Sequence, residues 1–259
     1  MKSEYGPLMS FFILVFVLSI PFWILGNLYP LQLLPGLPIS SLVVLAPLLA
    51  AAIMSYRSGR LSAVGRLLRR SFDLSRIHNK YWFLIFVLFN PAVAVLAFWT
   101  MRAIGTSVPQ PPPPTFAVVP MFAFFLIGAL AEEIGWTGYA TEPLYRRWGI
   151  LGAGLVLGAV WVVFHLVVLT QVDRSLEWIA WWSLGTISFR TVMVWLYHHA
   201  GKSVFAAAIF HAMINLSWQL FPIDGSFYDP MIFSLATLGL VVVMIAIQRL
   251  LAPGRMAAA

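Results

Sequence analysis

The 259-residue chain contains no cysteine. That absence removes disulfide frameworks, thiolate zinc sites and cysteine nucleophiles together. Charge is scarce as well: Asp and Glu number 9, and charged residues make up 10% of the chain against 61% hydrophobic. Soluble domains carry about 25% charged residues, so a soluble globular class is excluded. No small-x-small cleavage site follows the apolar run Leu8 to Leu28. Its length suits a retained helix and not a leader peptide. The net charge of +7 raises nucleic-acid binding as a class. The placement of the charges dismisses it, because they gather between apolar runs, where headgroups are their partners.

What remains is a series of long apolar runs. They predict an all-α fold, a polytopic membrane helix bundle of about eight transmembrane helices in one integral-membrane domain over 1–259. The spans run Leu8 to Leu28, Ser40 to Tyr56, Tyr81 to Ala103, Phe116 to about Trp148, Ile150 to Thr170, Leu176 to Tyr197, Ser203 to Leu220 and Met231 to Leu250. Pro91 is expected to kink the third, and Gly135, Gly138 and Pro143 to bend or end the fourth. Tyr29 to Pro38 reads as a Pro-rich turn and Pro109 to Pro114 as an extended connector. Arg57 to Lys80, with seven basic residues and His78, reads as an amphipathic helix on anionic headgroups. With the amino terminus in the cytoplasm, thirteen of the 16 basic residues fall on that side. Only Arg102 and Arg174 fall opposite, and Arg190 lies inside a span. Both termini are therefore expected in the cytoplasm.

Against this background, Glu132 and Glu133 stand out at the end of an apolar run from Phe116 to Ala131. An ionisable group at that depth costs roughly 3 kcal/mol or more on insertion scales, so it marks a functional site. Adjacent helical positions differ by about 100° in direction. Glu132 shares a stripe with Trp136 and Glu133 with Thr137, and the two are expected to serve different partners. Glu132 and His165 each lie about 16 residues, roughly 24 Å, from the turn at Trp148 and Gly149. His211 and Asn215 share one face of the seventh span. Glu132, His165, His211 and Asn215 are expected to meet in a polar cavity on the cytoplasmic half of the bundle.

Two chemistries fit these groups. Glu132 serves as general base for a water held by His165, with His211 and Asn215 facing an oxyanion. Alternatively Glu132, His165 and His211 ligate a divalent metal such as zinc, whose water is the nucleophile. Either describes peptide or amide hydrolysis. No third His stands at that depth and Asn is a poor zinc ligand, which favours the metal-free form. Each residue also has a plainer account. A single intramembrane His bonds a neighbouring carbonyl, Asn215 alone is interhelical glue, and Gly154 with Gly158 is a packing face. Trp178, Trp181 and Trp182 read as an interfacial belt, and His198 and His199 as interfacial. The adjacent carboxylates have no such account.

Glu132-Glu133-Ile-Gly-Trp-Thr-Gly-Tyr, then Trp161-Val-Val-Phe-His165, then Phe210-His211-Ala-Met-Ile-Asn215 resemble the three motifs of the CPBP family. These are the CAAX prenyl endopeptidases and the bacteriocin-processing, immunity and abortive-infection proteins. The likeness covers 116–220, helices four to seven. It implies an eight-helix intramembrane endopeptidase in which the first Glu activates water. Glu133 belongs to the same catalytic motif, His165 helps hold the water, and His211 and Asn215 stabilise the oxyanion. The implied partners are membrane lipid and a peptide or protein substrate, lipidated in some members. The implied location is a prokaryotic plasma (inner) membrane. Two departures stand out: Thr137 occupies the family's usual Arg position, and Trp161 a usual Phe, an exchange read as mild. Thr137 motivates the alternative of a non-catalytic scaffold or immunity protein; a proton-coupled transporter is a third class. The missing Arg also predicts that Arg190, the one basic residue deep in a span, reaches across to Glu133.

Overall fold

A computed structural model describes residues 5–77, 79–111 and 115–251. Among these residues the chain is almost entirely helical. The helices are α1 (Tyr5–Leu28), α2 (Leu45–Arg70), α3 (Lys80–Ala103), α4 (Val118–Gly135), α5 (Glu142–Thr170), α6 (Leu176–His199), α7 (Val204–Gln219) and α8 (Pro230–Leu251). Four apolar helical segments are long enough to cross a membrane, namely Gly6–Leu28, Ile39–Arg70, Lys80–Ala103 and Val118–Thr170. Val204–Gln219 and Pro230–Ala246 are shorter apolar helices. The chain is an integral membrane protein by these lengths and compositions.

Val118–Thr170 does not run straight. Gly149 adopts φ 65 and ψ −170, a left-handed conformation open to glycine. Beyond it the chain folds back, since the Trp161 indole reaches Glu132, 29 residues earlier. The bend or end expected at Gly135, Gly138 or Pro143 is met at Gly135, where the α-helix stops. Trp136–Thr141 then forms a π-helical turn, and helix resumes at Glu142. The Thr141 hydroxyl donates to the Trp136 carbonyl at 2.9 Å, satisfying one acceptor of the widened turn. Pro91 lies within α3, which is continuous from Lys80 to Ala103.

In α2 the helix kinks at Gly59 and Arg60, separating the apolar part from the basic turns through Arg70. The basic helix expected over Arg57 to Lys80 thus begins at a break from the apolar part; His78 lies outside the described residues, as do Pro112 to Pro114 of the connector. Tyr29 to Pro38 contains a two-stranded hairpin, β1 (Gln32–Leu34) and β2 (Leu37–Pro38), where only a turn was expected. The Gly154 and Gly158 positions pack against the Thr191 and Ile187 backbone of α6, with no space for a Cβ.

The two ends of the bundle are chemically distinct. At one, Lys202 bonds Glu142 at 3.1 Å and Ser203 bonds Asp73 at 3.0 Å, gathering the basic segments. At the other, the hairpin, the turn after α5 and the loop before α8 meet. There Gly36 packs beside Trp218 and Arg174, and Trp178 lies 6.0 Å from Tyr228.

Candidate active site

Glu132 and Glu133 occupy the last turn of α4, and both are buried. Glu133 is saturated. Arg190 donates from Nη1 to Oε2 at 2.8 Å and from Nη2 to Oε1 at 3.0 Å. The Thr137 hydroxyl donates to Oε2, and His211 Nδ1 meets Oε1 at 2.9 Å. Each oxygen of Glu133 thus accepts two bonds, the full capacity of a carboxylate. The cross-helix Arg190–Glu133 pair expected from the sequence is present, bidentate and completely buried. Thr137 adds one hydroxyl, and the guanidinium comes from α6.

Glu132 is treated differently. Both bonds to it fall on Oε2, from the indole of Trp136 at 3.0 Å and that of Trp161 at 2.8 Å. Oε1 accepts no hydrogen bond among the described residues; its nearest ionisable neighbour is His211 Nε2, at 3.9 Å. That separation is beyond hydrogen-bond range. Trp161 also lies flat beneath Arg190, whose Cζ is 4.0 Å from the ring centre. The exchange of Phe for Trp at this position is therefore not mild. It supplies a donor to Glu132, which a Phe ring lacks, together with a cation–π platform for Arg190.

The two carboxylates were expected to serve separate partners, and His211 corrects that. Its ring bears nitrogens on opposite sides. Nδ1 meets Glu133 while Nε2 faces Glu132, so one imidazole spans the angular gap between adjacent helical positions. His165 is half-buried, and its Nδ1 lies 2.8 Å from the Trp161 carbonyl. A carbonyl only accepts, so Nδ1 carries the proton and neutral His165 keeps its lone pair on Nε2.

Glu132, Trp161, His165, His211 and Asn215 line one cavity of about 350 Å³. Asn90 of α3 joins them; its amide donates to the Phe210 carbonyl at 3.2 Å, beside His211. Its Oδ1 is buried and without a partner among the described residues. Asn90 was missed in the sequence, where attention fell on Pro91, although a polar residue amid apolar helix was the available signal. Trp178 and Trp182 line the same cavity, so they form its wall as well as any interfacial belt.

The lining of the cavity includes no residue of the basic segments. Its walls include Leu33, Gly36, Leu37 and Pro38 of the hairpin, Arg174 of the turn after α5, and Tyr228 before α8. The expected cytoplasmic-half opening is set beside a lining drawn in part from the end away from the basic segments. Roughly 24 Å from the basic-end turn is past the middle of a hydrocarbon core about 30 Å thick. His165 lies five residues from the far end of α5.

Among the described residues no three His, Cys, Asp or Glu side chains come together as ligands. His211 Nδ1 is committed to Glu133 and Glu132 Oε2 to two indoles. The remaining atoms, Glu132 Oε1 and His165 Nε2, can accept the two O–H groups of a water.

Comparison with known proteins places these residues in a context. Residues 114–217 match a family model described as type II CAAX prenyl endopeptidase Rce1-like. The chain is also 27% identical over 244 residues to CAAX prenyl protease 2 of Methanococcus maripaludis, an alignment covering 85% of this chain and 86% of that protein. The matched region contains all three motifs, Glu132 through Asn215.

Proposed function

We propose, for a chain whose residues 114–217 match the Rce1-like type II CAAX prenyl endopeptidase model, that Glu132 activates water to hydrolyse a peptide bond within the membrane. The observation that carries this is the asymmetry of the carboxylate pair. Of four oxygens, only Glu132 Oε1 lacks a hydrogen bond, and Glu132 lines the cavity. Glu132 Oε1 takes one proton from water while His165 Nε2 accepts a hydrogen bond from the O–H that remains, orienting the oxygen. The hydroxide adds to the carbonyl carbon. The resulting oxyanion is met by the Asn215 amide and by His211, whose Nε2 donates when both ring nitrogens are protonated. Glu132 returns its proton to the departing amine as the C–N bond breaks. Glu133 has no capacity left for a proton transfer; with Arg190 it fixes His211.

The preference for a metal-free water over a zinc-bound one belongs to the same proposal. It rests on the committed bonds of Glu132 and His211. The substrate class is a membrane-associated peptide or protein segment, with a lipid anchor admitted by the family and not required by the site. The Thr137 exchange had favoured a non-catalytic scaffold; Arg190 filling the Arg position removes that motive. The test is hydrolysis of peptides by the purified chain in liposomes. Cleavage is expected and is expected to vanish in Glu132→Gln. Cleavage persisting in that variant, or Glu132-dependent proton flux without cleavage, contradicts the reading.

We infer from the loop charges that the basic end faces the cytoplasm of a prokaryotic cell and that the cavity reaches toward the opposite face of the plasma membrane. Because the chain lacks cysteine, single probes are unambiguous. Ser58→Cys is expected to label only from the cytoplasm and Ser226→Cys only from outside. The reverse pattern overturns this orientation.

A further inference from the structure

The catalytic cavity holds polar atoms that the hydrolysis above does not use. Two of its lining residues carry a buried side-chain oxygen with no partner among the described residues, Asn90 Oδ1 and Ser41 Oγ. A hydroxyl rotates and can donate or accept, whereas an amide oxygen only accepts. Asn90 therefore names what it lacks, a donor inside the cavity. The residue is 2% exposed, and a buried carbonyl left unpaired is costly.

Its orientation is fixed by α7. The Asn90 side chain donates to the Phe210 carbonyl at 3.2 Å. A carbonyl only accepts, so the group facing Phe210 is the NH2 and the free atom is the oxygen. Phe86 and Phe89, on the same helix as Asn90, pack on the Phe210 ring with centroids 6.4 and 5.5 Å away. The Phe210 carbonyl points along α7 toward the amide of Ile214. The Asn90 side chain therefore stands beside the turn that runs from His211 to Asn215.

That turn is where the oxyanion is met, and it decides which donor reaches Asn90. In an extended peptide the N–H and C=O of one residue point to the same side, and those of its neighbours to the other. A substrate whose scissile carbonyl faces Asn215 and His211 turns the N–H of that same residue toward the same wall. The N–H of the scissile bond itself points away. A neighbouring strand meets such a residue with one donor and one acceptor. Asn215 and Asn90 offer the same pair from two side chains, one on α7 and one on α3.

Resting on the peptidase reading, we propose that Asn90 Oδ1 accepts the backbone N–H of the substrate residue whose carbonyl is attacked. Asn90 is then a substrate-binding residue outside the three motifs, and through it the site reads extended backbone at that residue. Proline, which has no N–H, is disfavoured there.

The test uses a cleavable peptide and two analogues in which one amide N–H is replaced by an ester oxygen, with the full chain in liposomes. In the first analogue the replaced N–H belongs to the residue bearing the scissile carbonyl, in the second to the residue before it. Cleavage is followed at the scissile amide. The wild type is expected to lose about tenfold in kcat/KM on the first analogue and little on the second. In Asn90→Leu the parent peptide should be slowed and the ratio of parent to first analogue should fall to about one, because the bond is already absent. A purely structural role for Asn90 slows all peptides alike and keeps the ratio, which overturns the proposal. Equal rates for parent and first analogue in the wild type, as expected if Asn90 holds only water, overturn it without any variant. So does an equal loss on both analogues. An ester scan of the same peptide, read as binding to Glu132→Gln, separates the two readings. A single residue whose ester weakens binding there, and no longer does once Asn90→Leu is added, with no hydrolysis by the wild type, contradicts the peptidase and leaves the Asn90 contact standing.

Discussion

Two carboxylates adjacent in sequence have opposite surroundings. Glu133 accepts four bonds, from Arg190 twice, Thr137 and His211. Glu132 accepts two, both on one oxygen, and leaves the other unbonded at the cavity wall. In a medium without water, an anion with every lone pair occupied is a structural element. An anion with one oxygen free is a base waiting for a proton. The π-helical turn that follows α4 is where the chain departs from regular helix, and such departures concentrate at functional sites.

The contrast can be broken most severely at the saturated side. Glu133→Gln leaves the Arg190 guanidinium buried opposite a neutral amide, and a loss of about 3–5 kcal/mol in stability is expected. Arg190→Gln should cost a similar amount, and the double variant less than the sum. Additive losses in detergent unfolding would show that the pair carries no coupling. A smaller effect, about 1–2 kcal/mol, is expected from Thr137→Val, which keeps the volume and removes one hydroxyl donor to a charged acceptor. Unchanged melting of that variant contradicts the bond.

On the catalytic side, Trp161→Phe removes the indole donor to Glu132 and keeps most of the ring. A fall in kcat of about tenfold, roughly 1.4 kcal/mol, is expected with KM little altered. An unaffected kcat means that the aim of Glu132 does not depend on Trp161. The least effect belongs to the basic end. Lys202→Met breaks an exposed pair with Glu142 whose side chains are 38% and 30% accessible. A change below about 1 kcal/mol is expected there, and a large loss would mark that end as part of the cooperative core.

The sequence carried much of this arrangement, for identifiable reasons. Carboxylates in an apolar run are conspicuous, and helical spacing assigns Trp136 to Glu132 and Thr137 to Glu133. A buried Arg190 required an anion, and few were available. The helix order and the kinked basic segment followed from hydropathy and charge. What escaped depended on three dimensions. One nitrogen of His211 bonds Glu133 and the other faces Glu132, which angular spacing along one helix cannot reveal. Trp161 became a donor only once α5 folded back at Gly149. Asn90 and Arg174 enter the cavity from elements far from the motifs. The end toward which the cavity reaches follows from loops packing together, as Trp218 does with Gly36, which no local pattern encodes.

The central claim is that Glu132 works and Glu133 holds. Its most direct test is one preparation series in which turnover and melting temperature are measured for wild type, Glu132→Gln and Glu133→Gln. Glu132→Gln should lose at least about a hundredfold in turnover with melting nearly unchanged, while Glu133→Gln should melt several degrees lower. Normal turnover in Glu132→Gln, or a Glu133→Gln variant that keeps its stability and loses only activity, would contradict the account.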